Sequence, residues 1–247
     1  MVKQLTCNHQ MLVRFYPGAP NIIMKVDYYL DSYTYFNRIN SNMNNGFLLD
    51  YGSNYGMFLD SSKGQFDHTL YTGIDIDDSS LVEGRKMFPT ANFIHYNGFN
   101  CTYNPTGIKG LRPILDKKFS NIISYSVFTH TTEDDMLDSV KWLYDQLEID
   151  GKLIASFCSV DNSRAVKYVT RGQYTSLESF EWFDSHKVIY LFGDMSKVDY
   201  PELDKMNFTF YDLDYLKTLL SEYDIEFFDA PIDVLNCFQQ CFCIIKK

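Results

Sequence analysis

Short apolar runs alternate with longer amphipathic segments along most of this 247-residue chain, and that alternation restricts the folds open to it. The segments between the runs are typical of helices that cross from one parallel strand to the next. We therefore predict an α/β fold with a sheet covered by helices on both faces. The seven predicted strands cover residues 47–50, 71–76, 92–96, 121–125, 152–157, 225–229 and 240–245.

The clearest helix is predicted at residues 133–149. Apolar side chains recur there at helical spacing, at Met136, Leu137, Val140, Leu143, Tyr144 and Leu147. Thr132 followed by Asp135 resembles a capping box, which predicts the start of the helix, and we expect Gly151 to take a positive φ just beyond its end. Because the strand at 152–157 follows at once, the helix and strand form half of a βαβ unit.

Composition narrows the class of protein. A chain of 247 residues that is 45% hydrophobic can bury one substantial core, which favours a single domain. The net charge of −10 and the absence of a lysine- or arginine-rich stripe argue against a nucleic-acid substrate. No uncharged apolar run reaches about 18 residues, and residues 1–15 lack a cleavable signal pattern, so we predict no membrane span and a cytoplasmic protein.

The six cysteines are expected to be free thiols, since no secretion signal accompanies them. Cys237, Cys241 and Cys243 lie close together, as metal ligands often do, but they lack a C-x-x-C step. Cys241 and Cys243 alternate with apolar residues in the last predicted strand. We therefore expect them to pack in the core.

A candidate ligand site begins where the first strand ends. Asp50 closes that strand, and Gly52 and Gly56 follow in the turn, where glycine lets the backbone approach a ligand closely. Glycines also close ordinary tight turns, which is the alternative. Asp75 stands at the end of the second strand, where a carboxylate can accept both hydroxyls of a ribose, and its alternative role is a helix cap.

The loop does not match the G-x-G-x-x-G fingerprint of dinucleotide-binding proteins. Asn54 and Met57 occupy the second and third glycine positions. Since the pyrophosphate of NAD needs close backbone approach at the second glycine, the loop disfavours an NAD-type oxidoreductase. It is compatible with a nucleoside cofactor that carries no phosphate.

Five segments in order then resemble motifs of the class I S-adenosylmethionine-dependent methyltransferase family: FLLDYGSNYG, GIDID, FIHYNGFN, NIISYSVFTH and EIDGKLIASF. The resemblance covers residues 47–157 and continues more weakly to the end. It implies a Rossmann-like, doubly wound, seven-stranded sheet that is mostly parallel with the last strand antiparallel. It also implies S-adenosyl-L-methionine as cofactor and S-adenosyl-L-homocysteine as product.

On this basis the chain divides into four parts of one methyltransferase domain. Residues 1–45 form an N-terminal helical cap, which includes an aromatic helical segment at 22–39. Residues 46–158 form the cofactor-binding core, and residues 159–207 form an irregular insertion after strand 5 on the acceptor side. Residues 208–247 supply a final helix and strands.

The resemblance also assigns cofactor-binding residues. They are Asp50, Gly52, Ser53, Gly56, Asp75, Ile76, Asn97, Gly98, Phe99, Ser124, Tyr125 and Ser126. The first four surround the methionine and ribose portions, Asp75 contacts the ribose, and Ile76 contacts the adenine. Asn97 stands where the family often has an aspartate that contacts the adenine amino group. The last three lie beside the methionine moiety.

For catalysis, His130 is the first candidate base, because it follows the fourth strand at the face where open α/β sheets bind ligands. Its alternative role is packing or capping before the next helix. Tyr103, His186 and Asp161 are further polar candidates. Asp161 with Asn162 resembles part of a magnesium site, but the aspartate expected after strand four is missing, so we predict no metal.

Three functions stay open at this point. The first is O-methylation of a small molecule or a sugar, such as a surface-polysaccharide precursor, because the Tyr103, Asn104, Gly107 pattern and SVFTH resemble a bacterial subgroup linked to such pathways. The second is a cofactor-binding protein that retains the fold without turnover. The third, an NAD-type oxidoreductase, is disfavoured by the loop. The acceptor atom and the oligomeric state are left unassigned.

Overall fold

A computed structural model describes residues 32–100, 103–159, 188–192, 206–229 and 239–247. The helices in these ranges are α1 (Ser32–Ile39), α2 (Met57–Ser62), α3 (Asp78–Met87), α4 (Glu133–Gln146) and α5 (Leu213–Leu219). The strands are β1 (Leu48–Tyr51), β2 (Tyr71–Asp75), β3 (Asn92–His95), β4 (Phe119–Ser124), β5 (Leu147–Ser159), β6 (Val188–Phe192), β7 (Met206–Tyr211), β8 (Asp224–Phe228) and β9 (Gln240–Ile245). Short 3-10 helices cover His68–Leu70 and Phe128–His130.

The sheet has the predicted topology. Strands β3, β2, β1, β4 and β5 lie side by side and parallel, and β9 pairs antiparallel with both β5 and β8. All seven predicted strands are present, as β1 to β5, β8 and β9, and the last of them is antiparallel. The predicted Rossmann-like α/β fold is therefore confirmed.

Two strands were not predicted. β7 pairs in parallel with the last two residues of β5, Cys158 and Ser159, and β6 pairs antiparallel with β7. β5 extends past the residues that pair with β9, so its final backbone groups are available to β7. Residues 159–207 were expected to form an irregular insertion, but β6 and the first two residues of β7 are regular strands within that range.

Each face of the sheet has its own apolar core, and successive strand residues alternate between the two. Leu48, Ile123 and Ile154 belong to the core on the face covered by α1, α2 and α3. Their chain neighbours, among them Leu49 and Ile122, belong to the core that receives α4 and α5. This period of two lets helices cover both faces of the sheet.

Helix α4 begins as predicted but ends earlier. The Thr132 hydroxyl accepts the Asp135 N–H, which confirms the predicted cap. The helix stops at Gln146 and β5 starts at once, because β4 pairs first with Leu147 and then, after a shift in register, with Lys152.

The positive φ expected at Gly151 belongs to Asp150 instead, at 62°. Gly151 itself lies within β5. A β-carbon on Gly151 would come within 2.9 Å of the Glu148 carbonyl oxygen. Glycine therefore fits this position because another part of the backbone lies close, and not because its φ is positive.

Helix α1 is the described part of the predicted N-terminal helical segment. Its Tyr33 and Phe36 are buried, and the Tyr33 ring lies 5.4 Å from that of Phe58 in α2. Tyr35 points toward the end of β4, where its ring lies 5.5 Å from that of Tyr125. The rest of the segment, with Tyr28 and Tyr29, lies outside the described residues.

Cys241 and Cys243 are buried in the core, as predicted, while Cys237 lies outside the described residues. Burial raises the pKa of the Cys243 thiol to about 11, so it stays neutral at physiological pH. None of the helices in the described ranges is long and apolar enough to cross a membrane.

Candidate functional site

Strand β1 lies between β2 and β4, and this is where the strand order reverses. Chain connections leave in opposite directions from this point, so a crevice forms outside the carboxyl ends of the strands. The segments that follow β1, β2, β3 and β4 all carry predicted site residues. The fold therefore brings these residues to one edge of the sheet.

The loop between β1 and α2 is built from left-handed backbone conformations. Gly52 and Gly56 have φ values of 80° and 89°, and Asn54 between them has 52°. The N–H groups of Gly52 and Ser53 both donate to the Ile74 carbonyl oxygen, at 2.9 and 3.1 Å. These two bonds tie the loop to the end of β2.

Gly52 is required for a second reason. A β-carbon on Gly52 would lie 2.2 Å from Cγ2 of Val127, which belongs to the turn after β4. The loop after β1 and the turn after β4 therefore touch at a point where no side chain fits. Ser53 is buried beside them.

Asp75 joins this loop to the end of β2. Its Oδ2 accepts the Asn54 N–H at 2.7 Å, and its Oδ1 accepts the Asp77 N–H at 2.9 Å. Burial raises the pKa of Asp75, and the backbone hydrogen bonds act in the opposite direction. Each carboxylate oxygen keeps a further lone pair, which allows it to accept a ligand hydroxyl.

The helix-cap alternative for Asp75 is wrong. The residue that caps α3 is Asp77, whose side chain accepts the Ser79 N–H at 3.1 Å. Asp75 stands before the cap and serves the β1–α2 loop instead.

Asp50 is a buried carboxyl group at the start of the glycine loop. It is 4% exposed, and the Tyr71 hydroxyl donates to its Oδ2 at 2.6 Å. Burial raises the pKa of Asp50 to about 7, although the Tyr71 hydrogen bond lowers it and the charge of Asp75 raises it further. Asp50 therefore changes charge near neutral pH.

The loop after β3 is held by asparagine side chains. The Asn104 Nδ2 donates to Asn97 Oδ1 and to the Gly98 carbonyl oxygen, both at 2.9 Å. Asn97 is exposed and Gly98 is buried, while the Phe99 ring lies 4.9 Å from the Lys109 ammonium. These residues stand beside the end of β2, where His95 Nε2 lies 3.2 Å from the carbonyl oxygen of Ile76.

Ser124, Tyr125 and Ser126 end β4 and begin the following turn. Ser124 is fully buried, and its hydroxyl has no hydrogen-bond partner within the part of the chain that the structure describes. Tyr125 is partly buried beneath α1. Ser126 has a φ of 59°, and its N–H donates to the Ser156 hydroxyl at 2.7 Å.

The two candidate catalytic residues in the described ranges lie next to each other. The ring centroids of Tyr103 and His130 are 5.3 Å apart with their planes at 85°. The Asn100 side chain donates to the His130 carbonyl oxygen at 3.0 Å, which fastens the two segments together. Tyr103 is 63% exposed and His130 is partly buried.

His130 does not cap α4, since that cap is Thr132, so only packing is left as its alternative role. His186, Asp161 and Asn162 lie outside the described residues. The described ranges contain no group of three or more histidine, cysteine or acidic side chains arranged to hold a metal. The absence of a metal stays a prediction.

One set of residues at this edge was missed by sequence reasoning. Gln239 donates from Nε2 to Ser126 Oγ at 2.9 Å, and its Oε1 accepts the Ser156 hydroxyl at 2.6 Å. Tyr71 likewise went unnoticed as the partner of Asp50. Gln239 lies 113 residues from Ser126 along the chain, and no local pattern links the two.

Comparisons with known proteins support the fold. The sequence matches no protein-family model, and no curated protein matches it significantly. Solved structures do match. An S-adenosylmethionine-dependent methyltransferase from Clostridium acetobutylicum is 12% identical with a TM-score of 0.55, over 87% of this chain and 90% of that one.

Two further structures have defined acceptors. The glycopeptide N-methyltransferase MtfA, complexed with S-adenosyl-L-homocysteine, is 11% identical with a TM-score of 0.55, over 90% of this chain and 92% of that one. Magnesium protoporphyrin IX methyltransferase from Synechocystis, with bound S-adenosyl-L-homocysteine, is 12% identical with a TM-score of 0.51, over 88% and 81%. At this level of identity the likeness establishes a shared Rossmann-like fold.

Because Val127 lies close to Gly52, we expect alanine to destabilise the fold more at Gly52 than at Gly64. Gly52→Ala and Gly64→Ala both place a β-carbon at a positive φ near 80°, but only Gly52 has a side chain in the way. We expect Gly52→Ala to lose about 1–3 kcal/mol more unfolding free energy than Gly64→Ala, as overpacking does. Urea denaturation measures both, and equal losses would mean that Val127 moves aside freely.

The raised pKa of Asp50 predicts how the free energy of unfolding changes with pH. Its pKa is about 7 when folded and 3.8 ordinarily, so the folded chain binds the proton more tightly. The contribution of Asp50 to unfolding free energy is then greatest below about pH 4 and declines as pH rises to about 7. The stability of Asp50→Asn relative to the unmodified chain should therefore increase from pH 5 to pH 8.

Tyr71→Phe provides a second test of the Asp50 pKa. Removing the Tyr71 hydroxyl removes the hydrogen bond that lowers the Asp50 pKa. The decline of the unfolding free energy with pH should therefore extend to higher pH. Denaturation at a series of pH values measures both variants. A stability difference for Asp50→Asn that is constant over the range would show that Asp50 does not titrate there.

Proposed function

We propose that this chain is an S-adenosyl-L-methionine-dependent methyltransferase that acts on a hydroxyl group of a small molecule or a sugar, such as a surface-polysaccharide precursor. The observation that carries the proposal is the position of Asp75. Its carboxylate is fixed by two backbone N–H groups beside a left-handed glycine loop, at the point where the strand order reverses. A ribose with two free hydroxyls fits that carboxylate.

The other predicted residues take roles around this group. Asp50, Gly52, Ser53 and Gly56 surround the methionine and ribose portions of the cofactor. Ile76 and the segment with Asn97, Gly98 and Phe99 contact the adenine. Ser124, Tyr125 and Ser126 lie beside the methionine moiety. In support, these segments follow neighbouring parallel strands and end at one edge of the sheet.

The choice of cofactor is supported by the conformation of the loop. Asn54 takes the second glycine position of the dinucleotide fingerprint, and its Oδ1 accepts the Tyr55 N–H at 2.8 Å. A pyrophosphate requires close backbone approach there, and the asparagine side chain occupies that position. MtfA and the Synechocystis enzyme, which share the fold, are solved with S-adenosyl-L-homocysteine.

For catalysis we propose His130 as the general base and Tyr103 as its neighbour at the acceptor. When bound, S-adenosyl-L-methionine supplies a methyl group already activated by the sulfonium, so positioning carries most of the rate enhancement. His130 accepts the proton of the acceptor hydroxyl, and the exposed Tyr103 hydroxyl orients that acceptor. The edge contact between their rings supports a shared role.

The acceptor is proposed from the motif resemblance rather than from structural neighbours. MtfA methylates nitrogen on a glycopeptide and the Synechocystis enzyme acts on a porphyrin, so the shared fold accommodates different acceptors. We propose that the cap at residues 1–45 and the insertion at 159–207 select the acceptor. A chain of net charge −10 is unsuited to a phosphate backbone.

Calorimetry with S-adenosyl-L-methionine, S-adenosyl-L-homocysteine and NAD⁺ tests the proposal directly. We expect both sulfur compounds to bind and NAD⁺ not to bind. A chain that binds neither S-adenosyl-L-methionine nor S-adenosyl-L-homocysteine would refute the proposed function. Binding without methyl transfer to any acceptor in a panel of sugars and small alcohols would favour the cofactor-binding protein instead.

Asp75 gives the sharpest single-residue prediction. Asp75→Ala removes the carboxylate that accepts from Asn54 and is proposed to accept from the ribose, so S-adenosyl-L-homocysteine should bind about 1–3 kcal/mol more weakly. Asp78→Ala, three residues on in α3 and exposed, is the matched control and should bind normally. Equal affinity in the two variants would remove Asp75 from the site.

A further inference from the structure

Ser126 has a backbone conformation that its own side chain disfavours. Its φ of 59° is left-handed, a region that residues with a β-carbon rarely enter. Such a conformation persists only where the surroundings hold it, and it tends to occur at functional sites. Ser126 is the second residue of the turn that joins β4 to α4, which we define as residues 125–132.

The N–H and the hydroxyl of Ser126 are parts of a ring of hydrogen bonds. The Ser126 N–H donates to Ser156 Oγ at 2.7 Å, the Ser156 hydroxyl donates to Gln239 Oε1 at 2.6 Å, and Gln239 Nε2 donates back to Ser126 Oγ at 2.9 Å. The Thr129 hydroxyl donates to the Ser126 carbonyl oxygen at 3.0 Å. Ser156 and Thr129 are fully buried, and Gln239 is 6% exposed.

Gln239 is the member of the ring that comes from elsewhere in the chain. It stands just before β9, and its carbonyl oxygen accepts the Tyr35 hydroxyl of α1 at 3.1 Å. Its side-chain amide supplies one acceptor and one donor, to Ser156 and Ser126 respectively. A hydrocarbon side chain of the same size would take that partner from the buried Ser156 hydroxyl and from the partly buried Ser126 hydroxyl.

The conformation of Ser126 sets the direction of the residues that follow it. Val127 comes next and approaches Gly52, and the 3-10 helix to His130 is closed by the His130 N–H donating to the Val127 carbonyl oxygen at 2.9 Å. A change at Ser126 would therefore displace both the side chain against the glycine loop and the histidine beside Tyr103.

We infer that Gln239 is a positioning residue for the β4–α4 turn. It holds Ser126 in the left-handed conformation and thereby places Val127 against the Gly52 loop and His130 beside Tyr103. The inference rests on the proposed function, since the Gly52 loop and His130 are parts of the proposed site. Gln239 itself acts through Ser126 and Ser156.

A double-mutant cycle on the full chain tests this role, with S-adenosyl-L-homocysteine as the probe. Gln239→Leu should weaken its binding roughly tenfold or more, because a serine no longer held in place leaves the left-handed region. Glycine adopts that region freely, so in a Ser126→Gly background the same Gln239→Leu change should weaken binding less than about threefold. If Gln239→Leu does not fold, Ser156→Ala replaces it in the cycle, because it removes another member of the same ring of hydrogen bonds.

Gln240→Leu is the matched control. Gln240 is the next residue and is equally buried, but its Nε2 donates to Asp229, outside the ring. We expect normal binding. If Gln239→Leu weakens binding no more than Gln240→Leu, or by the same factor in both backgrounds, Gln239 is a structural residue only and the inference fails.

Amide hydrogen exchange separates this inference from the proposed function. Opening the ring should speed exchange of the His130 amide roughly tenfold or more, while the Ile122 amide in β4 keeps its rate. An unchanged His130 rate in Gln239→Leu would overturn the positioning role. A chain that shows the faster exchange but binds neither sulfur compound would retain the positioning role and lose the proposed function.

Discussion

The parallel pairing of β1 with both β2 and β4 is the constraint on which the candidate site depends. Leu48 is level with Tyr71 on one side and with Asn121 on the other, so all three strands end together. The loop after β1 can then hydrogen-bond to the end of β2 and touch the turn after β4. A shift of one residue in either register would turn Asp50 to the opposite face of the sheet.

Much of the fold was predictable because its signals are local. The apolar runs of the parallel strands, the Thr132 cap and the glycines at 52 and 56 each act within a few residues, and the structure has them as predicted. The end of α4 was misjudged for a physical reason. Apolar spacing continues through Leu147, but pairing of that residue with Phe119 takes it into β5.

The parts of the site that could not be predicted depend on contacts between distant residues. Tyr71 meets Asp50 only because the first residue of β2 lies level with β1, and its hydrogen bond lowers the Asp50 pKa against the larger effect of burial, which raises it. Gln239 reaches Ser126 and Ser156 through the antiparallel pairing of β9 with β5. Neither tyrosine nor glutamine forms a motif with its partner, so sequence spacing carries no trace of either contact.

Several locally unfavourable features lie together at the carboxyl ends of the strands, although two further left-handed non-glycine residues, Lys63 and Asp150, lie elsewhere. At these strand ends the described chain has a buried carboxyl group with a pKa of about 7 at Asp50, left-handed non-glycine residues at Asn54 and Ser126, and an unpaired buried hydroxyl at Ser124. Elsewhere most of the described polar groups follow ordinary rules, as in the caps of α3, α4 and α5. The meeting of the unfavourable features at one edge fits the proposed ligand site, because the groups of such a site must be held in place before the ligand arrives.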